Sequence, residues 1–130
     1  ANTWATVQFN GEIYDVGNDY AIDTYTFTAP VDGKYMLRGT ARIDDIEYYS
    51  PTQYVQVAIT TSNRVYRGGT WDLSGQARDY WSLSNSCIAD MDADDTAIFR
   101  VLVRNGTSSI ETYYGGESSF ENFFCGYLLG

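Results

Sequence analysis

The sequence predicts an all-β sandwich in a single domain, and three observations lead to that prediction. Strand-forming residue types dominate the 130 residues, and aromatic residues reach 16%. Apolar side chains alternate with polar ones in most segments, and no segment shows a sustained helical period. Glycine-rich turns separate the alternating segments. About eight to ten short strands joined in this way indicate a sandwich or jelly roll, with an immunoglobulin-like sandwich as the alternative fold.

The clearest pair of strands spans residues 24 to 43. Aromatic and threonine residues alternate before a turn at residues 29–33, in which Pro30 fixes φ and Gly33 accepts a positive φ. Alternation resumes directly after the turn. The positions that share the inward face of this second strand are Tyr35, Leu37, Gly39, Ala41 and Ile43.

Further strands are predicted on the same grounds, and three long loops separate some of them. The predicted strands are 3–9, 53–60, 64–67, 80–91, 96–104 and 119–129. Residues 12–23 are irregular. The longest loops are predicted at 44–52, 68–79 and 105–118.

The last predicted strand, 119–129, is apolar on both faces. One face carries Phe123, Cys125, Tyr127 and Leu129, which we assign to the core. The other face carries Phe120, Phe124 and Leu128. An antiparallel strand with one wet face should alternate, and a sandwich core covers only one face. The sequence therefore predicts that a second subunit covers Phe120, Phe124 and Leu128.

Charge and composition exclude several classes of function. The net charge is −9, which argues against nucleic acid and anionic membranes as partners. No apolar run approaches the roughly 20 residues that span a bilayer, so no membrane insertion is expected. The chain has no histidine, which removes the commonest general base and most zinc sites. No signal peptide is recognisable. Because the sequence begins at Ala1 without Met, we expect a processed or excised piece of a longer protein.

The two cysteines, Cys87 and Cys125, are too few for a disulfide scaffold. Both are predicted on inward faces of different strands. A third strand should lie between those two in a jelly roll, which places the Cα atoms near or beyond the limit of about 7 Å for a bridge. We expect two buried free thiols.

A calcium loop is one interpretation of Asp90, Asp92 and Asp94, which have the D-x-D-x-D start of such a loop. The usual glycine is missing at the sixth position, where Asp95 stands, and Val101 replaces the glutamate at the twelfth. A solvated turn is therefore favoured here. For so acidic a chain, Ca²⁺ elsewhere, at the far end of the sandwich or on a subunit axis, stays an open alternative, and the metal site is unknown.

Three motifs resemble those of complement-C1q-like globular heads, which share the tumour-necrosis-factor jelly roll. The stretch Phe27-Thr-Ala-Pro-Val-Asp-Gly33-Lys-Tyr35-Met-Leu37 resembles the family signature F-x-x-P-x-x-G-x-Y-x-F. The ending Phe124-Cys-Gly126-Tyr127-Leu128-Leu129 resembles its closing F-x-G-Y/F-L-L strand. Residues 89–97 stand where the family has an L-x-x-G-D-x-V turn. The resemblance covers almost the whole chain in order and spacing.

The details look most like the heads of bacteriophage tail fibres and related virion proteins. Thr-Ser-Asn-Arg64, Asp-Tyr-Trp-Ser82 and Ala-Asp-Met-Asp92 carry this finer likeness. Leu37 replaces an aromatic residue and Asp94 replaces the turn glycine, which puts an animal immune role in doubt. The resemblance implies a homotrimer of about ten-stranded jelly rolls, with the last strand near the threefold axis. It also implies the C-terminal domain of a fibre on a virion or other extracellular surface.

The three long loops are predicted to meet at one end of the sandwich, the tip. We assume that the first and last strands are antiparallel neighbours with both termini at the opposite, stalk end. Rigid aromatic side chains among polar groups on loops suit the recognition of sugars and proteins. The predicted ligand-binding residues are Tyr48, Tyr49, Trp71, Asp72, Arg78, Glu111, Tyr113 and Tyr114.

Other functions stay open beside a receptor-binding head. The chain fits a carbohydrate-binding module of a secreted bacterial protein, or a structural cap that only registers a trimer. In the latter case Tyr49 or Trp71 simply anchors its own loop. Carboxylates such as Asp44, Asp45, Glu111 and Glu117 could form a glycosidase pair, but no spacing selects two of them. We therefore predict that the protein is not an enzyme.

Overall fold

The computed structural model describes residues 4–7, 20–21, 25–46, 54–72, 78–104, 111–113 and 123–130. These residues form ten β-strands, and the described part of the chain contains no helix. The strands are β1 (Ala5–Thr6), β2 (Tyr20–Ala21), β3 (Thr26–Thr28), β4 (Gly33–Ile46), β5 (Tyr54–Thr61), β6 (Val65–Asp72), β7 (Arg78–Met91), β8 (Thr96–Arg104), β9 (Glu111–Tyr113) and β10 (Phe123–Leu128).

Two antiparallel sheets pack face to face, as the sequence predicts. The first sheet has the order β2-β3-β8-β5-β6, and β1 also pairs with β8. The second has the order β10-β4-β7, and β9 also pairs with β4. Most neighbours in a sheet are distant in sequence, which is typical of a jelly roll and not of a simple meander.

The core lies between the inner faces of these sheets. The predicted alternation is confirmed in β4, β5 and β8, whose inward side chains are buried. The centre of the core is the Phe99 ring, which lies over Gly39 of the opposite sheet. A Cβ atom at Gly39 would stand 2.7 Å from Phe99 Cε2, so only glycine fits there. The Phe124 ring packs beside Phe99 with 6.2 Å between the ring centroids.

Strand β6 is longer than predicted, and its extra residues shorten one of the predicted loops. The register of β5 and β6 shifts between Gln56 and Ala58, which places a bulge at Gly68 and Gly69. A bulge breaks the period of two, so the alternation in the sequence ends at Arg67 although the strand continues to Asp72. The predicted loop 68–79 is therefore wrong, and only residues 73–77 separate β6 from β7.

The faces predicted for the last strand are reversed. Phe124 stands opposite Gly39 and is only 8% exposed, so it faces the core of its own subunit. Cys125 and Tyr127 face outward instead. The physical reason is Gly126, whose position would bring a Cβ within 3.0 Å of the Phe27 ring. An inward glycine contributes nothing to an apolar pattern, so the pattern favoured the wrong face.

The assumed pairing of the first and last strands is also wrong. Strand β1 pairs with β8, with Ala5 opposite Val101, and so lies in the other sheet from β10. The registers also show that β1 and β10 run in the same direction. Both point to the end of the sandwich that carries the turns 29–32 and 92–95. We call that end, where Gly130 also lies, the base.

The turn between β7 and β8 is held at the base by the Asp95 carboxylate. It accepts hydrogen bonds from the Asp92 backbone N–H (2.8 Å), from Ser62 Oγ (2.9 Å) and from Asn63 Nδ2 (2.6 Å). These bonds, that of Asp92 first, hold the pKa of Asp95 below its usual value. Asp94 adopts a positive φ of 74°, a conformation that aspartate tolerates better than most residues. Glycine would adopt this left-handed backbone without a steric penalty.

Acid should weaken the fold partly through Asp95. A carboxyl with a depressed folded pKa stabilises the native state above its unfolded pKa of about 3.9, and this stabilisation is lost as the pH falls through the lower folded value. Asp95→Asn should therefore flatten the fall in unfolding free energy between about pH 5 and pH 2. Urea titrations over this range measure it. Asp90→Asn, which removes a nearby charge but none of these hydrogen bonds, is the control, and equal slopes in both variants would contradict the assignment.

Candidate functional site

The end of the sandwich opposite the base is where the predicted recognition loops begin and end. We keep the name tip for it. Strands β4, β6 and β8 end at the tip, and β5, β7 and β9 begin there, as the pairings Ile46 with Arg78 and Tyr54 with Asp72 show. The connecting segments 47–53, 73–77 and 105–110 therefore all depart from and return to the tip. The positions of the strand ends therefore confirm that the three predicted loops start and finish at one end of the sandwich. The assumption used for that prediction, that β1 and β10 are antiparallel neighbours, was wrong.

Trp71 lies at the tip but does not sit on a loop. It stands in β6 opposite Val55, is half-buried and packs against the core. Its indole also lies over Gly69, where a Cβ would be 3.3 Å from Cη2. Its exposed neighbour Asp72 ends the strand. Trp71 therefore anchors the end of β6, and only the part of its ring outside the core is open to a ligand.

The other predicted tip residues divide into two groups. Arg78 begins β7, and Glu111 begins β9 opposite Asp44, so the backbone places both at the tip in strands and not in loops. Tyr113 ends β9 opposite Arg42, further along the sheet. The remaining predicted residues lie outside the described part of the chain, and they are Tyr48, Tyr49 and Tyr114.

Strand β9 was not predicted, and it shares its partner strand with the last strand, β10. Both β9 and β10 pair with the same edge of β4, with Tyr113 opposite Arg42 and Phe123 opposite Thr40. Residues 114–122 lie between them in the chain, whereas one residue separates their partners on β4. The same edge of β4 therefore takes its two partner strands from described segments that lie nine residues apart in the chain. Three residues are too short for alternation to reveal such a strand.

The outer face of the second sheet carries a row of apolar side chains across three strands. Tyr127 of β10 stands opposite Met36 of β4, which stands opposite Ile88 of β7. Tyr127 and Ile88 are each 55% exposed, and Met36 is half-buried. We call these three residues the outer row. Sequence reasoning missed it because each residue looked isolated, and only the strand register brings them together.

The predicted subunit-contact residues have different positions from the outer row. Phe124 lies in the core, and Phe120 lies outside the described residues. Leu128 is 46% exposed at the base, where β10 ends beside Gly33. Of the predicted contact residues, only Leu128 is therefore seen to be exposed, and Phe124 is not; Tyr127, which was assigned to the core, is exposed instead.

The two cysteines are free and lie in β7 and β10, with β4 between them as predicted. Both are half-buried and not fully buried. Cys87 faces the core, and burial raises its pKa to about 11. Cys125 lies on the outer face, where burial raises its pKa and the Arg38 charge partly offsets that rise. Because the thiolate is the nucleophile, these surroundings suit structural and not reactive thiols.

Within the described residues, no group of three or more acidic, cysteine or histidine side chains is placed to hold a metal ion. At residues 90–95, Asp95 is engaged by three donors, as described above, and Asp32 accepts a hydrogen bond from the Ala93 backbone N–H. No helix in the described ranges is long and apolar enough to cross a membrane.

The fold is an antiparallel two-sheet sandwich of the C1q-like jelly-roll type. The solved globular domain of the zebrafish complement 1qA protein is similar over 100% of this chain and 91% of that chain, with a TM-score of 0.60. Sequence identity is 17%, so this likeness establishes the fold alone. A scan against protein-family models finds no match. A search of curated proteins also finds none.

Proposed function

We propose that the protein is the homotrimeric, non-enzymatic receptor-binding head of a viral fibre, of the kind carried by bacteriophage tail fibres. Its place is the virion surface or another extracellular surface, as the C-terminal domain of a longer protein. The C1q-like fold supports the head, and the stretches that end at Arg64, Ser82 and Asp92 support the fibre. The receptor is a host-surface glycan or protein that contacts the tip.

The observation that carries this proposal is the outer row. Tyr127 and Ile88 expose about half of their surface on an otherwise polar sheet face, and Met36 joins them across the middle strand. A contiguous exposed apolar patch rimmed by polar residues often marks a protein-contact surface. Small side chains, Ser84 and Ser86, follow along β7 and allow close approach of a second copy of the chain. Copies that pack through this face around a threefold axis cover the stripe.

The tip supports the recognition part of the proposal. Strands β4, β6 and β8 deliver the three segments there, away from the base where Gly130 lies. Three copies on one axis would also multiply weak individual contacts through avidity, without any new contact.

Alanine substitutions at the tip test recognition separately from assembly. Tyr49→Ala and Tyr114→Ala should each reduce binding to host cells by about tenfold or more if the aromatic ring is a binding hot spot. Trp71→Ala should do the same but also lower stability, because Trp71 packs on the core. Val31→Ala, which removes exposed apolar surface at the base, is the control. Unchanged cell binding in all three trimeric variants would overturn the receptor role.

The anchoring of Trp71 favours a second candidate, a structural cap that only holds a fibre trimer in register. Such a cap predicts intact assembly and no loss of cell binding in any tip variant. A carbohydrate-binding module predicts a monomer instead, which the mass of the protein in solution distinguishes.

A further inference from the structure

A cavity of about 540 Å³ opens at the base, between the edge strands β6 and β7. Its walls come from the turn before β6, from the end of β7 and from the start of β4. The polar and aromatic side chains among its lining are Lys34, Asn63, Arg64, Tyr66, Asp90 and Asp92. Its volume falls in the range of small-molecule sites, and none of these residues belongs to the predicted tip site.

The backbone around this cavity is fixed by hydrogen bonds. In the turn before β6, the Thr61 N–H donates to the Arg64 carbonyl (2.8 Å), and the Arg64 N–H donates to Thr61 Oγ1 (3.0 Å). On the opposite wall, the Leu129 N–H donates to the Lys34 carbonyl (2.7 Å). The walls are therefore formed before any ligand arrives, which reduces the entropy lost on binding.

The charged side chains on these walls are exposed and unengaged. Within the described part of the chain, Lys34, Arg64, Asp90 and Asp92 make no side-chain hydrogen bond or ion pair. Two cationic and two carboxylate side chains line the cavity, with Lys34 opposite Asp90 in the pairing of β4 with β7, so the side-chain charges of the lining cancel in a chain with 8 basic and 17 acidic residues. A balanced wall offers no net attraction to a phosphate or to a free cation, and thus favours an uncharged ligand.

The chemistry of the lining matches a hydroxyl-rich ligand. A sugar hydroxyl both donates to a carboxylate and accepts from a guanidinium or ammonium group, so it uses both kinds of group at once. The half-buried Tyr66 ring adds an aromatic surface of the kind on which the apolar face of a sugar ring packs. We propose that the cavity between β6 and β7 binds a neutral saccharide unit, at a site separate from the tip.

Sugar titrations of the ¹⁵N-labelled protein test this proposal. The probes are glucose, galactose, mannose and N-acetylglucosamine at about 10 mM, ten times a Kd of 1 mM, with inorganic phosphate as the anionic comparison. At least one neutral sugar should shift the backbone amides of Lys34, Arg64 and Asp90. Arg64→Gln and Asp90→Asn should each weaken that binding by about tenfold, through loss of a charged hydrogen-bonding partner. Arg67→Gln, an exposed neighbour on β6 outside the cavity, should not.

Three results would overturn the proposal. The first is that no neutral sugar shifts these amides, and the second is that Arg64→Gln and Asp90→Asn bind as the unsubstituted protein does. The third is that phosphate alone shifts them, which indicates an anion site. Trp71→Ala should leave the sugar-induced shifts intact, so a failure of receptor binding at the tip is distinguishable from a failure of this site.

Discussion

Alanine in place of Phe99 should lower the free energy of unfolding by about 3–5 kcal/mol. Phe99 is fully buried and is the largest side chain that crosses from β8 toward the second sheet. Opposite it stands Gly39, which has no side chain that could move into the space left by the ring. The Phe124 ring borders the space from the side. A cavity that the glycine opposite cannot fill should persist and carry its cost.

Urea denaturation monitored by circular dichroism measures this loss. Val65→Ala, at an exposed valine on the edge strand β6, is the matched control and should change stability by about 0.5 kcal/mol or less. A loss below about 1 kcal/mol for Phe99→Ala would mean that the ring does not fill the space between the sheets.

Ile88→Asp should dissociate the assembly into monomers. Ile88 is the β7 member of the outer row, and an aspartate there would place an unpaired carboxylate in the proposed subunit contact. Removing an unpaired charge from water costs several kcal/mol. Every copy of the contact would carry this cost, so the free energy of association should no longer hold the subunits together. Because Ile88 is 55% exposed in the single chain, the fold itself should survive the substitution.

The control for this prediction is Val65→Asp, which makes the same kind of change at a side chain 45% exposed, but on the other sheet. Light scattering on a size-exclusion column should give the monomer mass for Ile88→Asp and the assembled mass for Val65→Asp. If Ile88→Asp stays assembled, or if both variants dissociate, the outer row is not the subunit contact.

The sequence predicted those strands in which the size and polarity of the side chains distinguish the inward face from the outward face. In β5 and β8, large apolar residues occupy the inward positions almost without exception, so alternation located both strands within a residue or two. Where glycine stands inward, the same reasoning fails. Gly126 concealed the true inner face of β10, and the Gly68–Gly69 bulge concealed the second half of β6.

The candidate sites were less predictable, because they depend on register across strands. The tip could be predicted since antiparallel strands alternate in direction, and that conclusion survives the wrong pairing of β1. The outer row could not be predicted, because Met36 and Ile88 are distant in sequence and become neighbours only through pairing. The cavity at the base likewise joins residues from four segments of the chain.

The mass of the protein in solution tests the central claim most directly. Light scattering on a size-exclusion column, with and without a chelator, separates the possibilities. A homotrimer that buries the outer row predicts a mass three times the 14.6 kDa of one chain. Dissociation by the chelator alone would add a metal ion to the assembly. A mass of 14.6 kDa without chelator would contradict the account, since the outer row would then be exposed on a monomer.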